Sequence, residues 1–377
     1  MIRVKEMDKQ TSITPVQFMF LVFGTIVGVG FITLPRGVVE KAKEDAWITV
    51  IFSLLISLGA LFLVMCTVRQ MRNESIIEFN LKLFGRVIGS AFNLLFALYF
   101  LFFSVTGLRT MAEIVRTEML PFTPLEVIIV SMLLTVLYST WHGLMPIVRL
   151  NESGLPITFF FVLLFLLLAF LEADWHELRM PFAEGVTPSL QAIPGTVYSF
   201  LGFEILYLYY PFVSQHKKIP GSIAAGVILA GLFYAFITVG TLVTLGPEVT
   251  MTQTFPLITM AKVVEVVRQF VERAELLLIV LWLPLAFTTH VITYYSCAFV
   301  LSRWIPFVSM RWWQLLLFPA VYMLALYPDN QIEMEQWAEI VGKAGLFILV
   351  VFPLLVMLWG WVRKKISGWS SDERKEA

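Results

Sequence analysis

Gly24-Thr25-Ile26-Val27-Gly28-Val29-Gly30 sets three glycines into seven residues, in the middle of an apolar run that begins near residue 14. Each glycine costs a helix interior about 1 kcal/mol relative to alanine, so the cluster predicts a local unwinding at mid-run. A second such place is Ser199-Phe200-Leu201-Gly202-Phe203-Glu204, where a glycine sits beside a carboxylate near the centre of the run 193–212. In a bilayer centre a charged acid costs at least ~2.5–3.5 kcal/mol, so Glu204 is expected to face a cavity or a partner.

Around these two places the chain reads as a membrane protein. Of its 377 residues 58% are hydrophobic and 14% charged, against roughly 25% charged in an ordinary soluble domain. Apolar runs recur at 14–34, 47–68, 87–108, 125–141, 155–171, 193–212, 220–245, 276–302, 312–327 and 344–362. Their lengths suit the ~20 residues that cross a hydrocarbon layer. Backbone groups must pair within lipid, and none of the runs alternates with period two, so each is expected to be a helix. The expectation is an all-α polytopic membrane domain of about ten transmembrane helices over 14–362, with polar tails at 1–13 and 363–377. Trp312, Trp313, Trp359 and Trp361 suit aromatic belts at span ends. The first run lacks a short apolar region followed by a small-residue cleavage site, so a cleaved signal peptide is not expected.

The net charge is zero, which gives no basic patch for nucleic acid, and Cys66 and Cys297 both lie inside apolar runs. Neither a disulfide framework nor a metal site is indicated, and no cofactor motif is present. The termini and every second loop carry 17 Lys and Arg, against 10 in the alternating loops. That bias places both termini in the cytoplasm. Acidic residues sharpen the contrast, with Glu172, Asp174, Glu177 and Glu184 in one outer loop. The amphipathic stretch 258–273, with Lys262, Glu265, Arg268 and Glu272, is expected to lie on the outer surface.

Ten runs divided into two fives put the two breaks in corresponding positions with opposite orientation, which points to an inverted-repeat transporter with its site between broken helices. Amides at a half-helix start attract a carboxylate, and freed carbonyls accept from an ammonium group. A zwitterionic amino acid meets both requirements. Plainer readings stand beside this one. Gly24 and Gly28 also form a GxxxG pair, which permits close helix packing, and Glu204 also suits a cap or a bridge between helices. His290, in Thr288-Thr289-His290-Val291-Ile292-Thr293, reads as a cavity residue able to exchange a proton with Glu204, or as a neutral histidine satisfied by a neighbouring helix. Tyr99 reads as packing with a satisfied hydroxyl. HExxH, P-loop, CxxC and GxSxG motifs are all absent from the sequence, which places an enzyme behind a transporter or sensor.

Gly28-Val29-Gly30-Phe31 running to Leu34-Pro35-Arg36, together with Gly202-Phe203-Glu204, resembles the paired signature of the amino acid-polyamine-organocation transporter superfamily. Within it, Thr33-Leu34-Pro35-Arg36, Tyr210-Pro211 followed by Lys217-Lys218, and Tyr327-Pro328-Asp329 resemble the spore germination permease family. The resemblance implies a LeuT-like 5+5 inverted repeat with helices 1 and 6 broken, in the inner membrane of a spore. It implies a B-type subunit that binds a nutrient germinant, commonly an amino acid, and works beside an A-type membrane subunit and a C-type lipoprotein. By position in the motifs, the ligand-binding residues would be Thr25, Gly28, Gly30, Tyr99, Leu201, Gly202, Phe203, Glu204, Thr289 and His290. A proton-coupled amino-acid permease is the alternative, and a purely structural assembly subunit a third reading.

Overall fold

The computed structural model describes residues 12–28, 30–71, 74–178, 181–182, 185–264 and 273–366. Among these, every regular element is a helix, and the extended backbone forms one isolated bridge, between Ile13 and Val213.

The helices assemble ten spans. Span 1 is two helices, Pro15–Ile26 and Gly30–Ala42. Its start is set by a capping box in which Thr14 and Gln17 satisfy each other's backbone amides, with Pro15 in the first turn where its missing N–H costs nothing. Span 2 is Ala46–Gln70, and span 3 is the helix Ile76–Glu118, bent at Gly85 with φ +80°. Spans 4 and 5 are Leu125–Trp141 and Leu144–Ala169. Span 6 starts as Thr187–Tyr198 and, after a break, resumes as short turns over 203–212. Span 7 is Ile219–Thr252, bent where Gly246 takes φ +73° ahead of Pro247. Spans 8 and 9 are Ala274–Trp304 and Met310–Leu326. Span 10 runs from Gln331–Leu346 through the π-helical turn Phe347–Val351 into Phe352–Ile366.

Among the described residues, six apolar segments are long enough to cross a bilayer unaided, while Pro15–Ile26, Leu125–Trp141 and Met310–Leu326 are shorter apolar helices. Large apolar side chains such as Phe62, Val87, Leu134, Phe160 and Leu316 are exposed. A surface of that kind suits lipid rather than water as the neighbouring solvent. Inside, span 8 packs most extensively on span 3, and span 1 lies against spans 5, 7 and 8.

Several span ends differ from the sequence reading, with spans 3 and 5 each starting eleven residues before their apolar runs, at Ile76 and Leu144. Span 1 continues to Ala42, because its second half restarts after the glycines and carries Pro35 without stopping. Span 10 begins at Gln331, thirteen residues before its apolar run, because a polar helical stretch precedes it. The first part of the stretch expected to lie on the outer surface, 258–263, belongs to the helix Pro256–Val263, with Leu257, Ile258, Met260 and Ala261 buried. It packs onto the second half of span 1 and onto spans 7 and 8, so that apolar face meets protein. Glu265, Arg268 and Glu272 of that stretch lie outside the described residues, as do Glu184 and most of both tails.

Candidate functional site

The first half of span 1 ends at Ile26, and Val27 and Gly28 have left the helix. An interrupted helix frees carbonyl groups that lipid cannot satisfy. Side chains of spans 7 and 8 take them up. The Thr289 hydroxyl donates to the Gly24 carbonyl at 2.7 Å. The indole N–H of Trp282 donates to the Gly28 carbonyl at 2.9 Å. The Tyr234 hydroxyl lies 2.7 Å from the Ile26 carbonyl oxygen and 3.2 Å from that of Ser199.

Ser199 belongs to the second break, so Tyr234 bridges the two. There Gly202 adopts φ +136°, a conformation open to glycine and rarely to other residues. It also comes so close to span 1 that a Cβ would sit 2.8 Å from the Ile26 nitrogen and the Thr25 carbonyl carbon. The second break therefore touches the last turn of the first half of span 1 backbone to backbone, and a side chain at residue 202 has no place to go.

Glu204 follows two residues on and is fully buried. Its Oε1 accepts from the Tyr99 hydroxyl of span 3 at 2.6 Å, and its Oε2 from the Gly202 amide at 2.7 Å. The carboxyl group thus fixes the second break and ties it to span 3. Two partners in a buried site offset much of the cost of placing the acid there.

Thr25, Gly28, Gly30, Tyr99, Gly202, Glu204 and Thr289 come together around the two breaks. Thr25 turns its hydroxyl back to the Leu21 carbonyl at 2.6 Å and contributes backbone to the contact with Gly202. A Cβ on Gly28 would stand 2.2 Å from the Thr289 hydroxyl oxygen, and one on Gly30 would stand 2.6 Å from that of Tyr234. Gly24 meets Asn151 and Leu155 of span 5 in the same way, so these glycines serve both the break and close helix packing. Phe203 is buried, and the Leu201 side chain turns away to pack on Gly345 of span 10. The His290 ring lies against Gly107 of span 3. Gly107 is eight residues from Tyr99, about 12 Å along the helix, and the hydrogen bonds of Glu204 run to Tyr99 and Gly202.

The sequence reading missed Tyr234 and Trp282. Both are buried aromatic residues with one polar atom, a type that needs a partner inside a membrane and finds it at freed carbonyls. Among the described residues, no group of three or more His, Cys, Asp and Glu side chains gathers to hold a metal ion.

The profile of a family described as "Spore germination protein" matches residues 12–334 of this chain. Spore germination protein YndE of Bacillus subtilis (strain 168) is 28% identical over 362 residues, covering 94% of this chain and 98% of that protein. Spore germination protein A2 of the same organism is 30% identical over 351 residues, covering 91% and 95%. Among solved structures, MhsT in complex with L-phenylalanine superposes with a TM-score of 0.63 at 14% identity, covering 92% of this chain and 98% of that one. Mhp1, a nucleobase-cation-symport-1 family transporter in a closed conformation with bromovinylhydantoin bound, superposes with a TM-score of 0.61 at 16% identity, covering 90% and 78%. The ten spans, broken at 1 and 6, thus form the LeuT-like transporter fold.

Proposed function

The chain belongs to the spore germination protein family, as a multi-pass membrane protein of transporter fold, and from that premise we propose that it is a nutrient sensor which holds a zwitterionic amino acid between its two broken helices and signals the binding to partner subunits. The observation that carries this reading is the meeting of the breaks. Gly202 touches the Thr25–Ile26 backbone, and Glu204 and Tyr99 anchor that contact to span 3. A ligand placed here has its carboxylate near the backbone at Gly28 and Gly30, where the second half of span 1 starts, and its ammonium group near the carbonyls around Gly202. Among the structural neighbours, MhsT is a protein seen with an amino acid bound, which supports the ligand class.

In the described arrangement the central groups are buried and bonded to one another, so the ligand must compete for them. It shifts the balance of states only through its different affinity for each. Thr289 releases Gly24 or keeps it, and Tyr234 releases Ile26 and Ser199 or keeps them. Glu204 couples span 6 to span 3 in this scheme, while Tyr99 and Thr289 help select the ligand. His290 and Phe203 shape the walls behind these groups, and Leu201 acts through span 10. The partners are an A-type membrane subunit and a C-type lipoprotein, in the inner spore membrane with both termini cytoplasmic.

A proton-coupled amino-acid permease is the second reading, favoured by the transporter fold itself. Spores carrying Gly28→Ala, Thr289→Ala or Glu204→Gln at matched abundance, germinated against a panel of single nutrients, test the first. A changed effective concentration or nutrient identity is the expected result. Unchanged germination, with labelled amino acid accumulating in vesicles that hold this chain alone, transfers the assignment to the permease.

A further inference from the structure

A cavity of about 510 Å³ opens between the ends of spans 3 and 9 and the start of span 4. Small-molecule sites span roughly 300–1,000 Å³. Arg109 and Arg116 of span 3 line it, seven residues and so about 10 Å apart on one helix face. Glu126, at the start of span 4, and Asp329, just after span 9, supply acidic groups to the same cavity.

The cationic side is held in place. Arg109 is buried, donates from Nη1 to the Ala325 carbonyl of span 9 at 2.9 Å, and has its Nε 3.8 Å from Glu113. Arg116 pairs with the same Glu113 while keeping its side chain 40% exposed. One carboxylate is thus shared by two guanidinium groups, each a planar fork with five N–H donors, which leaves donors for a further carboxylate. Glu126 and Asp329 are both exposed, and ionised carboxylates are acceptors only, suited to a cationic group. At the rim, Phe122 is 98% exposed and offers an apolar surface beside the charges.

Two guanidinium groups among three carboxylates repel a purely anionic or purely cationic guest from one side or the other. A molecule carrying both charges matches both. We propose that this cavity is a second, outer binding site for a zwitterionic small molecule, an amino acid or short peptide, whose carboxylate meets Arg116 and Arg109 and whose ammonium group meets Glu126 and Asp329. The ligand class rests on the nutrient reading above, while the site itself is separate from the broken helices. Its solvent-exposed pairs give weak and salt-sensitive binding, which suits a station that collects nutrient beside a closed centre.

The test uses the full chain in nanodiscs and saturation-transfer NMR with glycylglycine, its N-acetyl form and its C-terminal amide as probes. Arg116→Gln and Asp329→Asn each weaken glycylglycine binding by about two- to fivefold, the loss of one exposed charge pair. The amide, lacking the carboxylate, is insensitive to Arg116→Gln, and the N-acetyl form is insensitive to Asp329→Asn. Absence of any glycylglycine signal at millimolar concentration, or equal affinity in wild type and both variants, overturns the outer site. Failure of the nutrient reading shows separately, as germination indifferent to Glu204→Gln.

Discussion

The Tyr234 hydroxyl stands 2.7 Å from the Ile26 carbonyl oxygen, and the same hydroxyl lies 3.2 Å from the Ser199 carbonyl. One oxygen on span 7 therefore serves the end of the first half of span 1 and the end of the first half of span 6. Carbonyls at such ends have no helical partner and, in a bilayer interior, no water.

Tyr234→Phe removes that partner and leaves the ring. Leaving a buried acceptor unsatisfied costs about 1–3 kcal/mol, so the melting temperature in detergent falls. The same substitution also makes room at Gly30, where a Cβ would lie 2.6 Å from the Tyr234 oxygen. Gly30→Ala is consequently less damaging in the Tyr234→Phe background than in wild type, a non-additivity expected of groups in contact. Additive losses would show that the contact is not what constrains Gly30.

Gly28→Ala places its methyl group 2.2 Å from the Thr289 hydroxyl oxygen and 2.7 Å from the Thr289 Cβ. Overpacking of this kind costs typically about 1–3 kcal/mol. Thr289→Ala removes the first clash and keeps the second, whereas Thr289→Gly removes both. Thermal unfolding of the two double variants should therefore rank Gly28→Ala/Thr289→Gly above Gly28→Ala/Thr289→Ala, despite the ~1 kcal/mol that glycine costs a helix. The reverse ranking argues that the helices separate to admit the methyl group.

Much of this arrangement is legible in the sequence because unwinding and burial leave strong local marks. Three glycines within 24–30, and Gly202 beside Glu204, announce the breaks by propensity and by the cost of a buried acid. Apolar runs announce the spans. What holds the breaks does not show locally. Tyr234 and Trp282 reach carbonyls 208 and 254 residues away in sequence, and a single tyrosine or tryptophan in an apolar helix reads as packing until the helices are placed. The Tyr99–Glu204 bond spans 105 residues and is hidden in the same way. Span ends blur for a different reason: a polar helical stretch such as Gln331–Leu346 continues a span without hydropathy to mark it.

Tyr99→Phe and Glu204→Gln act on one bond, and the pair should not add. Tyr99→Phe leaves Oε1 of a buried carboxyl group without its donor, at a cost of about 1–3 kcal/mol. Glu204→Gln keeps an oxygen acceptor for one of the two donors, Tyr99 or the Gly202 amide, and sets an NH2 group opposite the other. A double-mutant cycle on unfolding free energy should return a coupling of about 0.5–3 kcal/mol, the range for residues in direct contact. Nutrient dose-response curves of spores with the same variants should shift together. A coupling of zero would mean that the hydroxyl and the carboxyl group are not bonded in the stable state.

The start of span 1 and the end of span 6 are joined by backbone hydrogen bonds, to which the Ser214 hydroxyl adds one by donating to the Ile13 carbonyl at 3.1 Å. The Ile13 amide donates to the Phe212 carbonyl at 2.9 Å, and the Ser214 amide donates to the Ile13 carbonyl at 2.8 Å. The chain entering span 1 is thereby bridged to the chain leaving span 6, with Ile13 opposite Val213. Gln17, one turn into span 1, adds a bond from Nε2 to Glu152 of span 5 at 2.9 Å. If nutrient binding works by swinging the first half of span 1 away from span 6, this bridge has to open, since packed elements switch between discrete arrangements. Neighbouring extended strands lie about 4.8 Å apart, inside the roughly 4.4–6.8 Å between Cα atoms that a disulfide accepts. Ile13→Cys with Val213→Cys should therefore cross-link under a permeant oxidant, abolish the germination response in spores, and regain it on reduction, while each single variant responds normally in both conditions. A full response from completely cross-linked protein would place the signalling motion elsewhere, in the second half of span 1, the first half of span 6 or the packing of span 8 on span 3.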